Sequence, residues 1–242
     1  MDKDLKDIVE LRNHKGIFIL YLNTEENRFN STSINKIHEC LDEVEKYEGD
    51  TCLITVSTSK KIWSNGLDLD WMSSQGQEVF KQNIIDFIRL FGRFLIFPVP
   101  TIAMIQGHAF AGGCMLAMAH DYRYMMNGKG FICLPELDIS MWLPFGMTDV
   151  CQCKLTPEAY TEMYYGKRFT SLEAEKYGVI TKACDKRTIF DEVMMKAKTV
   201  MDRGNKKEIL HKIKYITYYD AYERCRKGEI EVTVPPVQRA KI

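Results

Sequence analysis

Hydrophobic and polar positions along this chain fall into two recurring patterns. Ile17–Leu22 (IFILYL), Cys52–Ser57 (CLITVS) and Thr101–Gln106 (TIAMIQ) are short, nearly unbroken apolar runs rich in β-branched residues. Runs of this length predict buried strands. Asp7–Arg12, followed by His14-Lys15-Gly16, is expected to pair with the first of them as a hairpin. Ile34, Ile37, Leu41 and Val44 recur at helical spacing, predicting a helix capped by Ser31 and ended by Glu48-Gly49-Asp50. Glu78–Phe97 predicts a long amphipathic helix, stopped by Pro98 and Pro100 because proline lacks the N–H that a helix needs. Strands, turns and helices alternate in this way up to about Lys154, which predicts an α/β fold. Beyond it the pattern turns helical, with starts at Thr156-Pro157-Glu158 and Ser171 and a further helix over Ile189–Arg203.

Charge narrows the partners. Lys+Arg and Asp+Glu both number 33, so the formal net charge is zero and the electrostatic footprint of a nucleic-acid binder is absent. The eight cysteines lie mostly in apolar or helical stretches, with no CxxC pair and no zinc-ligand spacing, so they read as reduced structural thiols and no metal is expected. The N-terminal stretch MDKDLKDIVELRNHKG mixes both charges and lacks the apolar region of a secretory signal. No run approaches the roughly 18 apolar residues of a membrane span. The tail Ala240-Lys241-Ile242 is small–basic–aliphatic, similar to the Ser-Lys-Leu peroxisomal address.

Two glycine turns and one carboxylate carry candidate chemistry. Ala111-Gly112-Gly113 follows an apolar strand and opens a helix. There, free N–H groups can hold an anion or a developing oxyanion, or the glycines serve only a tight turn. A second turn, Trp63-Ser64-Asn65-Gly66-Leu67-Asp68, follows another strand, and a helix is expected from Asp68. Donors from both turns can converge on one thioester carbonyl. Glu136, after an apolar run and Pro135, is either a base whose pKa burial raises or a surface glutamate at a helix start. His120-Asp121 reads as a structural pair. The basic residues over Arg203–Lys214 read as a solvated helix face.

Together WSNGLDLDWM, PTIAMIQGHAFAGGCMLAMAHDYR and GFICLPELDIS resemble, in order and spacing, the crotonase (enoyl-CoA hydratase/isomerase) superfamily. The resemblance runs from about Gly16 to Cys184. It implies a spiral of ββα units over residues 1–185, a helical C-terminal region over 186–242, and a homotrimer or dimer of trimers. It also implies an acyl-CoA substrate with no separate cofactor, coenzyme A being part of the substrate. By position it makes the backbone N–H groups of Leu67 and Gly112 the oxyanion donors and Glu136 the catalytic acid–base. Ser64, Asn65, Gly66 and Asp68 join Leu67 and Gly112 in substrate binding. Hydratases of the family place a glutamate right after the GGC stretch, and this chain has Met115 there. One carboxylate without a second is the pattern of a Δ3,Δ2-enoyl-CoA isomerase acting on unsaturated fatty acids. Such an enzyme fits a peroxisomal address, with a cytoplasmic location otherwise. The alternatives are a weak hydratase or thioester hydrolase of the same superfamily, using Asp68, Asp70 or Asp138, and a non-catalytic acyl-CoA-binding protein. Met141, Trp142, Leu143 and Phe145 line an acyl tunnel or fill core.

Overall fold

The computed structural model describes residues 5–128 and 130–231. Its largest sheet has six strands in the order Val9–His14, Ile17–Leu22, Cys52–Ser57, Thr101–Ile105, Tyr122–Met126 and Lys182–Cys184. The first two form the expected antiparallel hairpin, and every later neighbour is parallel. The apolar runs are explained by what lies on each face. Phe18, Leu20, Leu53, Ala103 and Ile105 point into one core with the Ser31–Lys46, Gln77–Leu95 and Gly112–Ala119 helices. Ile17, Ile19, Ile54, Val56, Ile102 and Met104 point the other way, under Ile189, Val193 and Ala197 of the Ile189–Val200 helix. Strands covered on both faces have no reason to alternate with polar residues.

Each turn of the chain adds a short strand before its helix. Arg28–Phe29 pairs with Gly66–Leu67, and Ile132–Cys133, His108–Phe110 and Ile62–Ser64 make a second small parallel sheet. The path therefore visits the large sheet, then a small one, then returns by a helix. This is the spiral of ββα units. The helix over Ser31–Lys46 is capped one residue earlier than expected: Asn30 accepts from the Ser33 N–H, while the Ser33 hydroxyl accepts from the Asn30 N–H. Both residue types suit an N-cap, and a good cap contributes about 1 kcal/mol. The helix also ends sooner, at Lys46. The long helix is Gln77–Leu95, and the last predicted helix is α-helical only to Val200, then 3-10 over Met201–Asn205.

Around the C-terminal helices Lys207–Thr217 and Tyr219–Lys227, the expected solvated basic face holds for Arg203, Lys206 and Lys212, which are exposed, and is corrected at Lys207 and Lys214. Lys214 is buried, and its ammonium donates to Asp121 Oδ2 (2.6 Å) and to the carbonyls of Phe97 (2.9 Å) and Val99 (3.0 Å). Burial would raise the Asp121 carboxyl, but the Lys214 and Lys154 charges hold it below the ordinary range. Asp121 also accepts from the Thr101 N–H (2.9 Å), so this pair fixes the start of a core strand. Lys207 Nζ likewise donates to the last carbonyls of the Ser31–Lys46 helix region. His120, buried between Thr55 Oγ1 (2.8 Å) and the Leu116 carbonyl (2.7 Å), is pushed down to about 3 by burial and stays neutral. His120 and Asp121 are structural. No helix among the described residues is long and apolar enough to cross a membrane.

Candidate active site

The small sheet assembles the site. Its three strands are parallel, with Ile62 beside His108, Ala109 beside Ile132 and Phe110 beside Cys133. Each leaves the sheet at the same edge, where the chain must turn. Leu67 lies three residues beyond Ser64, Gly112 two beyond Phe110, and Glu136 three beyond Cys133. Segments distant in sequence are thus brought to one edge. The carboxyl ends of parallel strands are where open α/β folds bind ligands.

The glycine turns are pressed together. Gly66 has φ +81°, and a Cβ there would sit 2.7 Å from the Gly112 nitrogen, directly against the proposed donor. A Cβ at Gly112 would meet Phe87 Cε1 at 2.4 Å. Both positions exclude any side chain, so the backbone itself forms the cradle. Ala111 between them holds φ +51° and ψ −126°, a conformation rare outside glycine. Its N–H donates to the Cys133 carbonyl (3.1 Å), which helps hold it there. Strain of this kind is kept where it aims a group. The eight-residue Gly112–Ala119 helix begins at this point, and its first N–H groups have no partner within the helix. Ser64 is fully buried: its hydroxyl donates to the Asn27 carbonyl (2.8 Å) and accepts the Gly66 N–H (3.1 Å), so its side chain shapes the turn.

Glu136 occupies a turn, not a helix start, and it is buried at 7% exposure. Its Oε2 is shielded from solvent and has no hydrogen-bond partner. Burial pushes the carboxyl up to about 7, an effect its own backbone N–H only partly offsets. A carboxylate poised there takes and returns a proton near neutral pH. Its charge reaches the thiols of Cys114, two residues past Gly112, and Cys133, although burial is what chiefly raises both. Met115 is buried at 1% exposure in the same helix.

The other expected residues are distributed more loosely. Asp68 caps the Leu69–Ser74 helix by accepting from the Trp71 N–H (3.3 Å) and faces a cleft of about 550 Å3 with Arg28 and Asn30. Asn65 Nδ2 donates to Glu26 Oε1 (3.1 Å). Asp70 is fully exposed and pairs weakly with Arg28 (3.6 Å). Arg28 and Asn30 escaped the sequence reading, because only the pairing of Arg28–Phe29 with Gly66–Leu67 brings them to the loop. Met141, Trp142 and Phe145 are exposed and fill no core, while Leu143 packs partly buried against it.

Comparison with known proteins identifies the family. The sequence profile described as Enoyl-CoA hydratase/isomerase matches residues 12–240. Enoyl-CoA delta isomerase 3 of Arabidopsis thaliana is 30% identical over 179 residues, covering 72% of this chain and 75% of the relative. Peroxisomal enoyl-CoA delta isomerase 2 of the same plant is 29% identical over 181 residues, covering 72% and 75%. A probable enoyl-CoA hydratase from Mycobacterium tuberculosis superposes with a TM-score of 0.82 at 20% identity, over 92% of this chain and 93% of that one, a likeness of fold. By its profile match over nearly its whole length, this chain belongs to the enoyl-CoA hydratase/isomerase family.

Proposed function

We propose that the protein is a Δ3,Δ2-enoyl-CoA isomerase that moves the double bond of a 3-enoyl thioester to the trans-2 position. The observation that carries this reading is a single buried carboxylate, Glu136, at the glycine cradle, with the apolar Met115 buried in the helix that the cradle opens. The thioester oxygen lies between the N–H groups of Leu67 and Gly112. Glu136 takes a proton from C2, the C–H electrons pass into the C1–C2 bond, and negative charge collects on the oxygen. The dienolate is then protonated at C4 by the same carboxyl group. One preorganised donor at such an oxygen contributes about 2.7–4 kcal/mol to the transition state. Hydration needs water to be bound and deprotonated, which Met115 cannot do.

Arabidopsis relatives named as peroxisomal support service in β-oxidation of unsaturated fatty acids in that compartment. The Ala240-Lys241-Ile242 tail that would direct it there lies outside the described residues. Exposed Ile209, Ile213 and Ile216, on one helix, and exposed Leu137 and Trp142 support assembly into a homotrimer or dimer of trimers. The deciding experiment follows conversion of a 3-enoyl-CoA to the conjugated 2-enoyl-CoA by ultraviolet absorbance. Conversion by wild type and its collapse in Glu136→Gln is the expected result. Equal conversion by both removes Glu136 as the base.

A further inference from the structure

A cleft of about 680 Å3 lies between the C-terminal half of the Gln77–Leu95 helix and the helices Lys207–Thr217 and Tyr219–Lys227. None of Leu67, Gly112 and Glu136 lines it. Its size is that of a small-molecule pocket, about 300–1,000 Å3. Each of the three helices turns toward it a pair of residues four apart: Arg89 and Arg93, Lys207 and His211, Tyr222 and Arg226. Gly92 lets the walls approach, since a Cβ there would sit 2.8 Å from the Cys225 Cβ and 3.5 Å from the Tyr222 ring. Gly92, Ile96, Phe97 and Tyr222 give the cleft an apolar floor beneath these charged groups.

Most of the cations around it are already committed. Arg93 pairs with Asp42 (2.5 Å) and Glu45 (3.1 Å), and Arg226 with Glu223 (2.7 Å). The Lys207 ammonium donates to the carbonyls of Glu45 (2.6 Å) and Tyr47, and His211 Nδ1 to that of Ile96 (2.9 Å). Arg89 is the exception. Its Nε makes one long bond, to the Arg226 carbonyl (3.4 Å). Neither terminal nitrogen makes a hydrogen bond among the described residues. The carboxylate that stands near, Asp86 Oδ1 at 3.8 Å, already accepts from Gln82 (2.7 Å). The cleft thus offers one open guanidinium fork beside an apolar floor.

We propose that this cleft binds an amphipathic monoanion, a free carboxylate on an apolar chain, with the carboxylate on the Arg89 fork and the chain along Gly92, Ile96, Phe97 and Tyr222. A guanidinium meets a carboxylate with two parallel N–H bonds. One uncommitted cation balances one negative charge. A phosphate monoester carries about 1.5–2 charges at neutral pH, and the excess would face Glu45 and Glu208, which also line the cleft. Burial of the chain supplies the rest of the affinity, up to about fourfold for each CH2 group fully covered. Hydrolysis of an acyl thioester is the class of reaction that releases such a ligand.

The test titrates octanoate into the full chain by isothermal calorimetry, beside 1-octanol, which lacks the charge, and inorganic phosphate, which lacks the chain. Arg89→Gln removes charge and fork at a half-exposed position, and Arg89→Lys keeps the charge alone. Octanoate is expected to bind wild type, and about tenfold more weakly to Arg89→Gln, the lower range for a lost hydrogen bond to a charged group. Arg89→Lys falls between them, hexanoate binds more weakly than octanoate, and 1-octanol and phosphate bind more weakly still. Octanoate bound equally by wild type and Arg89→Gln overturns the proposal, because the ligand then lies elsewhere, the acyl site beside Glu136 included. Absence of octanoate binding, or phosphate bound as tightly, overturns it too. Sedimentation is measured in parallel: an assembly that loses mass in Arg89→Gln means that a second copy of the chain fills the cleft, and the small-molecule reading fails. Should Arg89→Gln not fold, Arg89→Lys carries the comparison through loss of the fork.

Discussion

Removing the Glu136 charge is expected to stabilise the protein while ending its catalysis. The carboxyl has an ordinary pKa of 4.5 and is raised to about 7 in the fold by burial. Between these values the folded protein holds a proton that the unfolded chain has released. Stability therefore falls as pH rises through this window. Below 4.5 both states are protonated and the group contributes nothing to the slope. Above 7 the fold carries a desolvated charge costing about 3 kcal/mol, from a shift of about 2.5 units at roughly 1.36 kcal/mol each. Glu136→Gln has no such slope. Its own amide needs a partner, but that cost is the same at every pH. Urea unfolding of both proteins at pH 5 and pH 8, at one protein concentration, isolates the charge. The stability of the variant relative to wild type is expected to improve by about 2–3 kcal/mol between the two. A change below about 1 kcal/mol, less than one pKa unit, means that Glu136 is not desolvated, and the argument for a base poised near neutrality collapses.

Two further variants probe the cradle. Gly66→Ala places a Cβ against the Gly112 nitrogen and forces an unfavourable φ. It is expected to lower kcat by about 10²-fold, as for loss of one oxyanion donor, with acyl-CoA binding measured by calorimetry largely retained. Activity within threefold of wild type would show that the two turns do not serve one oxygen. Met115→Glu restores a second carboxylate where hydratases carry theirs. Water addition to a 2-enoyl-CoA, followed as loss of conjugated absorbance, is expected to appear. The thermal midpoint should drop, since a carboxylate enters a site now 1% exposed. A variant that folds yet shows no hydration would mean that position 115 does not select between the reactions.

The long strands were legible for a physical reason. Ile17–Leu22, Cys52–Ser57 and Thr101–Ile105 are covered on both faces, so their apolar character is continuous and local. The strands that build the site are not of this kind. Gly66–Leu67 and Ile132–Cys133 have two residues each, too few for any periodicity, and exist only through partners dozens of positions away. Glycine in both turns gave the cradle a local signal. Ala111 gave none, because alanine does not ordinarily take a positive φ. Glu136 was readable as a candidate from Pro135 and the run before it, but its burial comes from the turn that follows. The buried Lys214 was misread because a lysine among charged neighbours has the local pattern of a wet surface.

That lysine has a consequence for how the chain is made. Asp121 and the carbonyls of Phe97 and Val99 wait for a partner 93 or more positions downstream. At a synthesis pace of about 5–20 residues per second, roughly 5–20 s separate their emergence from its arrival. During that interval the carboxylate that anchors the strand beginning at Thr101 has only the Lys154 charge to offset its burial. Lys214 is therefore a latch thrown late, and a chain that stops short of it keeps both glycine turns and Glu136 but lacks the ammonium bonded to Asp121.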